Sequence, residues 1–148
     1  GGCKMSWFTK KKDQNKTGSV NDMTPLQVVT HLCACIQLSD GSADHEEKVA
    51  WISTISTLFP DFSEKRAETF INEAHTYLNK ITENDFIHYV ETLLVRINAV
   101  LSQDQIKQLG PKIAEIIEAD GIVMTSEMKI AMLIEEKLSI KINLDKEL

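Results

Sequence analysis

Asp40, Glu46 and Glu47 in one stretch, and Asp120 and Glu127 in another, are the residues whose type and spacing could do chemistry. In each stretch an Asp-Gly pair is followed by a Glu seven positions after the Asp. Carboxylates gathered with backbone carbonyls suit a hard divalent cation such as Ca²⁺ or Mg²⁺, and Zn²⁺ also accepts carboxylate oxygen. Without a cation or protons they repel one another. The same residues have a second, structural reading. An Asp at a turn accepts hydrogen bonds from free backbone N–H groups, and a Glu in the first turn of a helix lies at the positive end of its dipole.

The EF-hand is the obvious comparison, because its loop needs oxygen ligands at positions 1, 3 and 5, Gly at 6 and Glu at 12. Aligned on Gly41 or Gly121, the second half of that loop matches, but the first ligand position is Ile36 in one copy and Ile116 in the other. An EF-hand is therefore not expected.

The elements that must position these acids are helices. Thr24-Pro25 is a helix start, with Thr as cap and Pro at the first helical position. Apolar Leu26, Val29, Leu32, Cys33 and Ile36 form a helical stripe that should stop at Asp40-Gly41. A second helix begins at Asp44, which forms a capping box with Glu47, and ends before Pro60. A third runs from Ser63 to Asn79, with Phe70, Ala74, Tyr77 and Leu78 on one face. A fourth starts at Thr82 and a fifth at Ser102, which Gly110-Pro111 should break or kink. A sixth then covers Pro111 to Ala119, and a last one Thr125 to Leu138, beyond which the chain should fray after Ile142. The expectation is an all-α, compact bundle of about seven helices, with residues 1–22 as an artificial stub (Gly1 to Lys4, before a natural start at Met5) and flexible basic tail, and 23–148 as the helical domain.

The two acidic stretches are copies of one another. LCACIQLSDGSADHEEKVAWI (32–52) aligns with KIAEIIEADGIVMTSEMKIAM (112–132) at an offset of 80. Ala34 meets Ala114, Ile36 meets Ile116, Asp40-Gly41 meets Asp120-Gly121 and Glu47 meets Glu127. Each copy reads helix, Asp-Gly turn, helix, so an internal pseudo-twofold repeat is expected. In the first copy the capping box with Asp44 explains Glu47. In the second, position 124 is Met, so the box is missing while Glu127 persists. This favours a role for the Glu beyond capping.

At these residues the chain resembles the TerB family of tellurite-resistance proteins, and is similar to the related helical domain of DjlA-type membrane co-chaperones. The resemblance rests on ACIQLSDGSADHEEK, on IAEIIEADGIVMTSEMK and on the aromatic-basic opening MSWFTKKK. It spans roughly residues 5–138. It implies an all-helical pseudo-twofold fold, acidic residues that bind divalent cations, and a role in tellurite and general stress response with other stress-response proteins in membrane-associated complexes. The matching positions are Asp40, Gly41, Glu46, Glu47, Asp120, Gly121 and Glu127. Ser126 stands where the first copy has Glu46, a departure from full symmetry.

Composition limits the other classes. The 148 residues are 43% hydrophobic and 26% charged, with a net charge of −6, ordinary for one globular domain. Residues 1–22 hold five lysines against two acids, leaving nine net negative charges on the rest. Such an acidic body does not suit nucleic acid, which needs a basic footprint, and suits cations or basic partners. No apolar run is long enough to span a membrane, and no secretory signal is present, so the cytosol is expected. Trp7 and Phe8 before Lys10, Lys11 and Lys12 offer a weak contact with an anionic membrane surface.

Cys33 and Cys35 lie two apart on one helix, facing different directions, which does not suit a disulfide. His31 and Cys35, four apart, have a spacing that can chelate Zn²⁺, with no second pair evident. No phosphate-binding loop, nucleophile elbow or zincin helix occurs. Three functions follow in order. The first is a non-enzymatic TerB-like module binding a divalent cation. The second is a protein–protein adaptor whose acids are only caps. The third is a carboxylate-metal hydrolase, which loss of phosphoesterase activity in Asp120→Asn would identify.

Overall fold

A computed structural model describes residues 20–39, 45–118, 125–142 and 144, with the backbone alone at 45–48. A 3-10 turn at Val20–Asp22 leads into α1 (Pro25–Ser39), α2 (His45–Leu58), α3 (Glu64–Leu78), α4 (Glu83–Val100), α5 (Gln103–Glu118) and α6 (Thr125–Leu138). Among the described residues there is no strand, and no helix is long and apolar enough to cross a membrane.

The helix starts follow local chemistry. Thr24 Oγ1 accepts the Gln27 N–H at 3.1 Å, so Pro25 occupies the first helical position, where its missing N–H costs nothing. Ser63 caps α3 through Arg66 N, and Thr82 caps α4 through Asp85 N. At α5 the box is reciprocal: Ser102 Oγ accepts from Gln105 N, and Gln105 Oε1 accepts from Ser102 N. The Gln105 amide also donates to Leu58 O, tying this start to the end of α2.

The architecture is a bundle wrapped around α1, which packs against each of the other five α-helices. Every residue from Val28 to Gln37 is buried, as expected of a helix at the centre rather than at the edge. The remaining pairings are α2 with α5, α4 with α6, and α5 with α6. α3 packs chiefly on α1. It presents Ala67, Ile71, Ala74 and Leu78 to the core, leaving Phe70 and Tyr77 half-buried. Its buried stripe is therefore rotated from the one read in the sequence, and Phe70 instead carries the Arg66 guanidinium over its ring at 5.5 Å. At the amino-terminal edge Val20 and Met23 are already buried, and Arg96 of α4 donates twice to Met23 O.

The expected break at Gly110-Pro111 does not occur. α5 runs unbroken through Pro111, so the described residues form six α-helices rather than about seven. Gly110 has a tertiary reason: a Cβ there would lie 2.7 Å from Lys141 O, so the glycine admits the segment that follows α6. That segment is held by Ile142, which is buried and whose N–H donates to Glu135 Oε2 at 2.7 Å. α6 ends at Leu138 and is followed by Ser139 with φ 57°, a left-handed residue without the glycine usual at that position.

Candidate functional site

Two places in this bundle hold unusual polar chemistry: the junction of α1 with α6, and the seam of α1 with α3 and α4.

At the first, the end of α1 meets the start of α6. The Ser126 hydroxyl donates to the Ser39 carbonyl, one of the carbonyls that the end of α1 leaves without a helical partner. Ser39 immediately precedes Asp40, and Ser126 immediately precedes Glu127. The contact joins the start of α6 to the end of α1 across 87 residues of sequence. Glu127 sits in the first turn of α6 and is fully buried. A carboxylate with no exposure is costly unless hydrogen bonds or an opposite charge offset the loss of water. A capping acid on a helix surface does not need that burial.

Of the other expected ligands, Asp40, Gly41, Asp120 and Gly121 lie outside the described residues, as do the side chains of Glu46 and Glu47. The backbone places Glu46 and Glu47 in the first turn of α2, the position in its copy that Glu127 holds in α6. Among the described residues no group of three or more His, Cys, Asp or Glu is gathered for a metal. A cavity of about 390 Å³ opens beside the junction, with Leu38, Leu78, Phe86 and Ile130 as its apolar lining and Ser39 and Ser126 at its polar side. A second hollow of about 810 Å³ is an open groove adjoining this cavity, between α4, α6 and the segment after it. Ile87 and Met132 line it and are exposed.

At the second place, His31 is buried with both ring nitrogens engaged. Nε2 lies 3.0 Å from Glu73 Oε1 and Nδ1 lies 2.7 Å from the Tyr89 hydroxyl. The Glu73 carboxylate can only accept, so Nε2 carries the proton and Nδ1 accepts from Tyr89. The Gln27 amide donates to the same Glu73 oxygen at 3.1 Å. Burial lowers the His31 pKa, opposed by the hydrogen bond and charge of Glu73. Burial raises that of Tyr89, helped by Cys35, Tyr77 and Glu73 nearby. Tyr77 braces the Tyr89 ring at 4.9 Å between centroids. A turn and a half along α1, Gln37 Oε1 accepts from His75 Nε2 at 3.2 Å, and burial lowers the His75 pKa as well.

His31 and Cys35 are thus a packed histidine and a buried thiol rather than a zinc-chelating pair, since His31 has no nitrogen left to offer beside Cys35. The thiols are also poor nucleophiles. Cys33 and Cys35 are fully buried, and burial pushes Cys33 up to about 12 and Cys35 further upward, with Cys33 adding to the latter. The network was not visible in the sequence, because its members are 42 and 58 residues apart. The one available signal was a His and a Gln placed inside an otherwise apolar stripe of α1.

Comparison with protein-family models, with curated proteins and with solved structures returns no match.

Proposed function

We propose that the chain is a TerB-like, non-enzymatic module of the tellurite and stress response, whose two Asp-Gly…Glu elements form one acidic site for a divalent cation. The reading starts from the paired motifs in the sequence. The observation that carries it furthest is the burial of Glu127 at the point where Ser126 meets Ser39. A pseudo-twofold arrangement of the repeats would add Asp40, Glu46, Glu47 and Asp120 to Glu127 at that junction. Carboxylates and helix-end carbonyls are oxygen donors, which fits Ca²⁺ or Mg²⁺ better than Zn²⁺.

The test is calorimetric titration of Ca²⁺, Mg²⁺ and Zn²⁺ into chelator-treated protein, alongside the Asp40→Asn/Asp120→Asn double variant. Saturable binding that the double variant loses supports the site. Absence of binding up to millimolar cation leaves the acids as helix caps.

A second reading is a protein–protein adaptor in a membrane-associated complex. It is favoured by the open groove at Ile87 and Met132, where apolar side chains face solvent.

A further inference from the structure

The chain has two tyrosines, and the fold brings them together. The rings of Tyr77 in α3 and Tyr89 in α4 lie 4.9 Å apart between centroids, tilted by 46°. Both line a hollow of about 390 Å³ beside Val20 and His88. Their settings differ. Tyr77 is half-buried and meets solvent. Tyr89 is buried, and its hydroxyl donates to His31 Nδ1 at 2.7 Å. On the other side of that imidazole, Nε2 donates to Glu73 Oε1 at 3.0 Å. The His31 side chain is 1% exposed and that of Glu73 28%. A phenol, an imidazole and a carboxylate are thus bonded in series, from a buried ring to an acid that reaches water. A buried hydroxyl needs only an acceptor, which a backbone carbonyl can supply. Here the acceptor is a base that can pass a proton on.

We propose that Tyr89 is a one-electron redox site, a radical sink whose electron leaves through Tyr77 and whose proton leaves through His31 and Glu73. The oxidant is an oxidising radical of the peroxyl class at the protein surface. Tyr77 passes it an electron, and Tyr89 refills the Tyr77 ring across the ring contact. The Tyr89 O–H bond breaks, its proton bonds to His31 Nδ1, and the proton on Nε2 moves to Glu73 Oε1. The peroxyl radical, with that electron and one proton from water, becomes a hydroperoxide. A neutral phenoxyl on Tyr89, a neutral imidazole carrying its proton on Nδ1, and a carboxyl that returns its proton to water remain.

Burial selects this route. Loss of the electron alone would strand a positive charge in the core. Burial also raises the Tyr89 pKa and lowers that of His31, so neither a phenolate nor an imidazolium is a resting state. The double proton shift avoids both, because the one charge that changes is on Glu73, the exposed member of the series. Among the described residues no base is bonded to the Tyr77 hydroxyl, so the radical settles on Tyr89. Cys35 is close enough to Tyr89 to oppose its ionisation, and burial holds Cys35 as a thiol, the less oxidisable form.

Flash photolysis of the full chain with tris(bipyridine)ruthenium(III) as oxidant tests this, in a Cys3→Ser, Trp7→Phe background that removes two competing donors. A phenoxyl absorption should appear. Paramagnetic resonance of the frozen radical, compared in H₂O and D₂O, should show an exchangeable hydrogen bond to the phenoxyl oxygen, donated by His31 Nδ1. His31→Gln keeps an acceptor for Tyr89 and a donor for Glu73 but has no basic nitrogen. It should slow phenoxyl formation by about 100-fold. Tyr77→Phe should slow formation and leave the same resonance, since Tyr89 holds the radical. No phenoxyl, a phenoxyl without the exchangeable bond, a resonance unchanged by Tyr89→Phe, or a rate indifferent to His31→Gln would overturn the proposal. The resonance is read with His31 and Tyr89 in place, so it decides the matter even where a variant fails to fold. No cation enters these measurements, and their outcome does not depend on the acidic site.

Discussion

Replacing Glu127 by Gln separates the two readings of the acidic elements through the sign of a stability change. The side chain is fully buried in the first turn of α6, and the substitution keeps its shape while removing its charge. A carboxylate that only caps makes charge-assisted hydrogen bonds, whose loss costs about 1.5–3 kcal/mol. The cost would then be the same in chelator and in cation. A carboxylate that is one of several gathered ligands behaves differently. In the ion-free protein, like charges are held together away from water, and neutralising one should raise stability by about 1–2 kcal/mol. At a free cation concentration of about 100 times Kd the native protein gains about 2.7 kcal/mol by mass action. The variant forgoes most of that gain, and its advantage becomes a deficit. We expect the second pattern. Urea unfolding followed by circular dichroism, in chelator and in Ca²⁺, measures both values on one pair of proteins. A variant destabilised by about 2 kcal/mol under both conditions would refute the cation reading and leave Glu127 as a buried cap.

Gly110→Ala gains about 1 kcal/mol of helix propensity, yet its Cβ meets Lys141 O at 2.7 Å. We expect a net loss of about 1–2 kcal/mol in urea unfolding, turning into a gain in a chain ended at Ser139. Ser139→Gly relieves a left-handed residue at φ 57° and should stabilise by about 0.5–1 kcal/mol in the same assay. In a chain with Cys3→Ser, Cys33 and Cys35, both fully buried, should resist a thiol-reactive dye at pH 8 in the native protein and react at once in denaturant. Rapid labelling without denaturant would mean that α1 is not the centre of the bundle.

The helices were legible where the signal is local. Thr24, Ser63, Thr82 and Ser102 cap helices because a short hydroxyl side chain can reach an N–H two or three residues on, whatever the tertiary fold. The failure at Gly110-Pro111 has the opposite cause. Gly-Pro is a breaker by local rules, but a packed helix tolerates the loss of one hydrogen bond when its apolar stripe, from Ile106 through Leu109 and Ile113 to Ile117, is buried on both sides of the proline. The glycine that looked like a stop is a contact point for Lys141, and nothing within a few residues of it encodes that. The centrality of α1 was half visible. Its apolar stripe marked one face, whereas Thr30, His31 and Gln37 disguised the other, which is buried as well.

The acidic elements repeat in the sequence, and their Asp-Gly turns lie outside the described residues. Ser126 replaces the glutamate that the first copy has at Glu46. Its hydroxyl donates to the Ser39 carbonyl at the end of α1. A glutamate in that place would set a carboxylate against a carbonyl oxygen, two acceptors with no proton between them. Ser126 therefore makes a tie between the start of α6 and the end of α1 that a glutamate could not make. Glu127, one residue on, is buried. A strictly symmetric pair of elements would hold one more acid but would lose this tie. In the proposed acidic site, the asymmetry at position 126 would supply the tie between α6 and α1.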